Sequence, residues 1–244
     1  MVTIDVNMDL GEGMNIEQQV MPFISSCNVA CGGHYGDYNS IRSTLLLAQK
    51  YDVHIGAHPS FEDKKNFGRV HLEWHELRFR QSVSRQIQLF QDVAAELGMV
   101  MHHIKMHGAL YHATAHHPEF VNWTIQWIKD EYPTIPLYVP AGSLLEQEMN
   151  NNGLTTYQEA FADRRYHDSG QLVSRHDSNA VIQDILKLVN QLSIMVYEKK
   201  VTSVEEHAIP IHATTYCVHG DNLNIVHQFD QVIAALKLNG IQIG

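Results

Sequence analysis

"IKMHGALYH", residues 104–112, places Lys105, His107 and Tyr111 around Gly108 at the exit of an apolar run. A single polar turn after a strand is ordinary. A catalytic rim needs the same pattern at other strand exits, because the βα loops of a parallel α/β fold all open on one face. Outward from this block, β-like runs occupy 2–7, 23–30, 53–57, 99–105, 136–140, 154–160 and 211–218. Apolar residues at helical spacing between them predict helices over 39–51, 73–97, 119–132, 179–200 and 222–239. Ser143 and Glu146 read as a capping box that opens one more short helix. Gly98 and Gly153 follow helix ends, where a residue without Cβ stops the helix cheaply. Strands alternating with helices, with no linker or repeat, predict one α/β domain over residues 1–244. The expected architecture is a seven-stranded (β/α) barrel, one strand short of the common eight, with an open doubly wound sheet as the alternative.

Six of the seven strand exits are polar. They carry Asn7, Asp9 and Glu12; Asn28, His34 and Asp37; His58; Lys105 and His107, with Tyr111 just beyond; Glu159, Asp163, Arg164 and Tyr166; and His219 with Asp221. The fifth, "VPAGS", offers nothing ionisable. His34, His58, His107 and His219 each adjoin glycine or proline, small or rigid residues that let a ligand approach the backbone. Gathered on one barrel mouth with Asp9, they need something polar between them, since unpartnered buried charge is costly. The block at 104–112 therefore reads as part of a ring. His71, His75, His102, His112, His116, His117, His167, His176, His207 and His227 read instead as surface residues. Cys27 and Cys31 lack a second cysteine pair and do not read as a metal site.

Composition narrows the function. The chain has 244 residues and a formal net charge of −10, with no basic run longer than a pair such as Lys199-Lys200. Nucleic acid and anionic membranes are thus unexpected partners. No apolar run approaches the ~20 residues of a bilayer span, and the N-terminus does not read as a secretory signal. Three cysteines form no disulfide framework and suit a reducing cytosol, so a cytoplasmic location is expected.

The ordered blocks "VNMDLGEG", "SSCNVACGGHYGD", "IGAHPSFED", "FGR", "HHIKMHGALYH", "EAFADRRYHDSGQLVSR" and "CVHGD" resemble the successive signatures of the LamB/YcsF family across nearly the whole chain. Met8 stands where that family usually has Cys, and Met106 where it usually has Pro; neither change removes an ionisable group. The resemblance implies an irregular seven-stranded barrel of the glycoside hydrolase and polysaccharide deacetylase type. It further implies a protein that works with B and C partner subunits to convert 5-oxo-L-proline to L-glutamate with ATP hydrolysis. The family's polar positions fall on the strand-exit residues named above other than Asn7.

The closed lactam is favoured over glutamate, so its opening needs coupling to ATP, and Mg²⁺ is expected with the nucleotide. The sequence has no G-x-x-x-x-G-K-[ST] phosphate loop, so activation is expected from the B and C subunits and ring opening from this chain. In that scheme Asp9 or a neighbouring histidine (His58, His107) is the general base, Lys105 stabilises developing negative charge, and Arg164 clamps the substrate carboxylate. Glu12, Asn28, His34, Asp37, Tyr111, Glu159, Asp163, Tyr166, His219 and Asp221 complete the expected substrate site. Two alternatives stand beside it. One is a free-standing metal-dependent amidohydrolase or deacetylase with Asp9, His34 and His58 as ligands. The other is a non-catalytic lactam-binding subunit. A homo-oligomer is compatible with each reading.

Overall fold

The computed structural model describes residues 1–175 and 177–244; His176, read above as a surface residue, lies outside them. The strands are β1 (Val2–Leu10), β2 (Ser26–Ala30), β3 (His54–His58), β4 (His103–Lys105), β5 (Leu137–Pro140), β6 (Thr156–Phe161), β7 (Lys200–Thr202), β8 (Ala208–Pro210), β9 (Thr215–Cys217) and β10 (Ile241–Ile243). The helices are α1 (Glu17–Val20), α2 (Tyr38–Tyr51), α3 (Glu76–Glu96), α4 (Gly108–His116), α5 (Pro118–Glu131), α6 (Leu144–Asn151), α7 (Ile185–Glu198), α8 (Leu223–Val226) and α9 (Phe229–Leu238). Seven parallel strands in the order β1-β2-β3-β4-β5-β6-β9 close on one another through β9 and β1, which is the expected barrel. β10 pairs with the first half of β1, outside the ring, and β7–β8 forms a separate antiparallel hairpin.

The side-chain period of two explains both faces of the barrel wall. In β1, Ile4, Val6, Met8 and Leu10 join the apolar core, while Asp5, Asn7 and Asp9 alternate with them and bond across to other strands. Similar alternation sets Ser26 and Asn28 against Cys27 and Val29, and Thr215 and Cys217 against Tyr216. The helices supply the other half of the core. Phe79, Val83, Ile87 and Phe90 lie one or two turns apart on α3 and are fully buried.

Several boundaries differ from the sequence reading. The fourth and seventh of the predicted strands shrink to three residues each, losing residues 99–102 and 211–214 before them, at the end away from the rim. The predicted helix over 222–239 is two helices, α8 and α9. The predicted 73–97 helix starts at Glu76, where the His75 ring accepts from the Arg78 N–H. Ser143 does cap α6, but Glu146 accepts from Gly142 rather than from Ser143. The unpredicted α4 begins directly at Gly108, whose φ is +54°. A Cβ there would lie 2.7 Å from the Gly68 carbonyl oxygen, so both the turn and the neighbouring "FGR" loop require glycine.

Candidate active site

The strand exits open into a cleft of about 910 Å³. Its floor is an ionic array inside the barrel. The Lys105 ammonium, 2% exposed, donates to Glu159 Oε1 at 2.8 Å, Asp9 Oδ1 at 2.9 Å and Asn7 Oδ1 at 3.2 Å, with Cys217 Sγ at 3.3 Å. Register explains the meeting. Asp9 pairs with Asn28 on β2, Asn7 with Cys217 on β9, and Glu159 with Thr215, so all these side chains point inward at neighbouring levels. Glu159 also accepts from Asn7 Nδ2 at 2.9 Å and from the Tyr111 hydroxyl at 2.6 Å. Asn28 donates to Asp9 Oδ1 at 2.8 Å and accepts from His103 Nε2 at 2.7 Å. The His103 ring reaches that position across Gly56, where a Cβ would lie 2.2 Å from Nε2.

These contacts set the charges. Burial would push the Asp9 carboxyl up, but His58 and Lys105 outweigh it and hold it well below the usual carboxylate range. Burial likewise works against the Lys105 ammonium, yet Asp9, Cys217 and Glu159 raise it well above its ordinary value. Burial lowers His103 well below the usual imidazole range, which keeps its ring neutral as a donor to Asn28.

A second group stands on one wall of the cleft. His58 Nδ1 donates to the Lys105 carbonyl at 2.8 Å, and His107 Nε2 donates to the Phe67 carbonyl at 3.0 Å. Their other nitrogens face each other at 3.0 Å. Asp9 Oδ2 lies 3.4 Å from His58 Nε2, and Glu12 Oε1 lies 3.3 Å from His107 Nδ1. His34 stacks on His107 at 3.6 Å and places Nε2 2.8 Å from Glu12 Oε1. Burial, then the neighbouring His34 and His58, hold His107 well below its ordinary range. Beyond Lys105, His219 stacks on Phe161 and directs Nδ1 to Asp163 Oδ1 at 2.8 Å. Asp163 is fully buried and also accepts from the His219 backbone N–H and from Asn222. Burial would raise its carboxyl, but His219 and the hydrogen bonds bring it below the usual range. At the rim, Arg69 and Arg175 both donate to Asp221 Oδ2, at 2.9 and 2.6 Å.

Of the residues expected from sequence, Asp9, Glu12, His58, Lys105, His107, Tyr111, Arg164, His219 and Asp221 line the cleft, and Asn28, Glu159, Asp163 and His34 support it from behind. Two do not join them. Asp37 is an exposed N-cap that accepts from the Ser40 N–H and holds the start of α2. Tyr166 is buried away from the cleft, its hydroxyl accepting from the Phe161 N–H. Arg164 reaches the cleft wall, yet its guanidinium donates to the Val173 and Ala180 carbonyls and ties down the loop after β6. Burial and the nearby Arg175 lower it to about 10. Lys105 has its donors fully engaged and so serves as the counter-ion of Asp9 and Glu159 rather than as a free oxyanion donor. The alternative metal set Asp9, His34 and His58 also changes, because His107 rather than His34 meets Asp9 and His58.

Sequence reasoning passes over His103, Arg69 and Arg175 as site residues, notes Asn7 at a strand exit without giving it a role, and places His71, His112 and His117, all cleft-lining, on the surface. Arg69 and Arg175 sit within the blocks "FGR" and "LVSR", so block membership is the available signal.

A closed parallel barrel with a buried ionic array beneath a strand-end cleft is an enzyme-like architecture. The profile of the LamB/YcsF family matches residues 4–244. The chain belongs to the LamB/YcsF family. It is 36% identical over 241 residues to the 5-oxoprolinase A subunit of Histophilus somni, covering 99% of this chain and 98% of that protein. It is 38% identical over 245 residues to the 5-oxoprolinase A subunit of Staphylococcus aureus, covering 98% of each. Among solved structures it is similar to a lactam utilization protein from Thermus thermophilus, with a TM-score of 0.90, 30% identity and 99% of each chain covered. A family 4 carbohydrate esterase from Streptomyces lividans has a TM-score of 0.51 at 9% identity, covering all of this chain and 92% of that one, and so shares the fold alone.

Proposed function

We propose that this chain is the A component of an ATP-dependent 5-oxoprolinase, opening the lactam ring of 5-oxo-L-proline to give L-glutamate together with B and C subunits. Relatives matched over almost their whole length, and named as the A subunit of 5-oxoprolinase, support the substrate class. The observation that carries the chemistry is the Asp163–His219 pair on the same cleft as the Asp9–Lys105 array. A buried carboxylate that accepts from Nδ1 fixes the imidazole with its other nitrogen available for proton transfer, the role such pairs play in hydrolases.

In this reading the partner subunits activate the lactam oxygen at the expense of ATP, and Mg²⁺ enters with the nucleotide. His219 takes a proton from water as it adds to the activated carbonyl carbon and returns it to the departing nitrogen when the C–N bond breaks; a second water then releases the activating phosphate from the new side-chain carboxyl. Asp9, held ionised, is too weak a base to be the main proton acceptor, since an efficient base has a pKa near the working pH. Its part is electrostatic. Arg69 and Arg175, which share one carboxylate at the rim, have donor capacity left for the substrate carboxylate. The test is glutamate formation from 5-oxoproline by the chain alone and with both partners, each with and without ATP. Turnover only with partners and ATP is expected. Robust ATP-independent turnover by the chain alone would refute the reading in favour of a free-standing amidohydrolase.

A further inference from the structure

The wall formed by His58, His107, Asp9 and Glu12 has too few protons for its lone pairs. The outer nitrogens of both rings donate to backbone carbonyls of Lys105 and Phe67, which can only accept, so the tautomers are fixed. In the neutral rings His58 Nε2 and His107 Nδ1 are both acceptors, yet they face each other at 3.0 Å. Carboxylate oxygens flank them: Asp9 Oδ2 at 3.4 Å from His58 Nε2, and Glu12 Oε1 at 3.3 Å from His107 Nδ1 and 3.9 Å from His58 Nε2. None of these four atoms is itself a donor, and the neighbouring ring nitrogen, His34 Nε2, lies against Glu12 Oε1 at 2.8 Å. The remaining Asp9 oxygen is taken by Asn28 and Lys105. The cleft floor sets Asp9 and Glu159 against the single ammonium of Lys105, leaving negative charge in excess.

We propose that Asp9, His58 and His107 bind one divalent transition-metal ion of the Zn²⁺ class, with Glu12 bordering the fourth position. Four ligand atoms around an ion at ~2.0–2.1 Å form a tetrahedron with edges of about 3.3–3.4 Å. Within the proposed set, the His58–His107 and Asp9–His58 separations of 3.0 and 3.4 Å bracket that length, and the three ligand atoms all lie within 4.8 Å of one another. A nitrogen held by a backbone carbonyl on the far side of the ring is also the usual way a protein aims a metal-binding histidine. Two imidazoles and a carboxylate favour Zn²⁺, Co²⁺ or Fe²⁺ over Mg²⁺, which prefers oxygen. The competing account is one imidazolium proton shared between the two rings. The metal site stands independently of the lactam assignment, because metal uptake is read without substrate and without the partner subunits.

The experiment strips the purified chain with chelator, then titrates it with Zn²⁺ by calorimetry and with Co²⁺ by visible absorption. X-ray absorption of the Zn²⁺ form reports the ligands. One equivalent is expected, with two imidazoles and no thiolate in the coordination shell. His58→Asn and His107→Asn should each weaken Zn²⁺ binding by more than the ~10–100-fold that loss of an outer partner costs. His219→Gln, across the cleft, should change it by no more than a few-fold, which separates this site from the Asp9, Cys217 and His219 group. If the stripped wild-type chain takes up neither ion stoichiometrically, the shared proton is the right account and the proposal fails, whether or not the variants fold. Thiolate ligation, or equal binding by wild type and folded His58→Asn, overturns it as well.

Discussion

Lys105→Met tests the ionic array most directly. Methionine nearly matches the aliphatic length of lysine but carries no charge. In the wild type one buried ammonium serves two carboxylates, Asp9 at 2.9 Å and Glu159 at 2.8 Å. Removing it strands both beside the barrel axis, and breaking a buried pair this way typically costs ~3–5 kcal/mol. At ~2–4 °C per kcal/mol for a chain of this size, the melting temperature should fall by about 6–20 °C. A pH dependence absent from the wild type should appear. Asp9 titrates well below its ordinary value of 3.8, so its contribution is present above that value and is lost as pH falls through the folded pKa. Lys105 titrates well above 10.5, so its contribution is complete below that value and is lost as pH rises through its folded pKa. Between these limits the array gives the wild type no slope. Without Lys105, the folded chain should take up a proton on this pair, and stability should rise as pH falls. Urea denaturation at about pH 8 and about pH 5 reads both effects. Adding Glu159→Gln should cost less in the Lys105→Met background than in the wild type, by at least ~1 kcal/mol. A Lys105→Met chain within ~1 kcal/mol of wild type, with unchanged slope and additive cycles, would refute the reasoning.

The remaining expectations divide chemistry from support. His219→Gln and Asp163→Asn should each lower kcat of the reconstituted complex by ~10²–10⁴-fold with KM little moved, and a loss under tenfold for His219→Gln would remove it as the proton donor. Arg164→Lys should leave two backbone carbonyls short of donors, destabilise the chain by ~1–3 kcal/mol and expose residues 163–184 to limited proteolysis; a raised KM with unchanged stability would restore its expected role as a substrate clamp. Asp37→Ala should cost ~0.5–2 kcal/mol through the lost cap of α2 and leave turnover intact, whereas lost turnover at normal stability would return Asp37 to the site.

Much of the fold is legible because alternation of strand and helix survives in the apolar spacing, and the strand exits advertise themselves through polar residues beside glycine. What stays hidden has physical causes. His103 is given no role by the sequence, standing next to His102, which reads as a surface residue; it lies inside the barrel because Gly56 on the next strand leaves room for its ring, a relation between residues far apart in the chain. Asp37 and Asp9 look alike locally, each a carboxylate near glycine. Only the register of β1 against β2 turns Asp9 inward, while Asp37 finds the N–H of Ser40 three residues on. Arg164 invites the clamp reading by its charge, but its guanidinium is consumed by carbonyls of a loop whose path no local pattern encodes. The helix α4 escapes the sequence reading because its first residue is glycine at positive φ, which propensity alone reads as a stop.

The interior of the barrel is the feature that stability does not explain. A buried ion array can often be replaced by apolar side chains of similar volume with no loss, or with a gain of ~1–4 kcal/mol. Here the axis instead carries Asp5, Asn7, Asp9, Asn28, His103, Lys105, Glu159 and Thr215, each bonded to another member. Among the described residues Ser193 Oγ is the one buried side-chain polar atom without a hydrogen-bond partner, and it lies on α7, outside this set. Such saturation leaves each carboxylate a single orientation. Asp9 is gripped on Oδ1 by Asn28 and Lys105, so Oδ2 is held toward His58 without having to reorganise. Fixed charge of that kind stabilises an ion or a developing charge more than mobile water does, because the cost of ordering it is met when the chain folds. The column of polar residues is therefore best understood as support for one oxygen atom, and Asn28→Ala should weaken whatever Asp9 binds while leaving Asp9 itself in place.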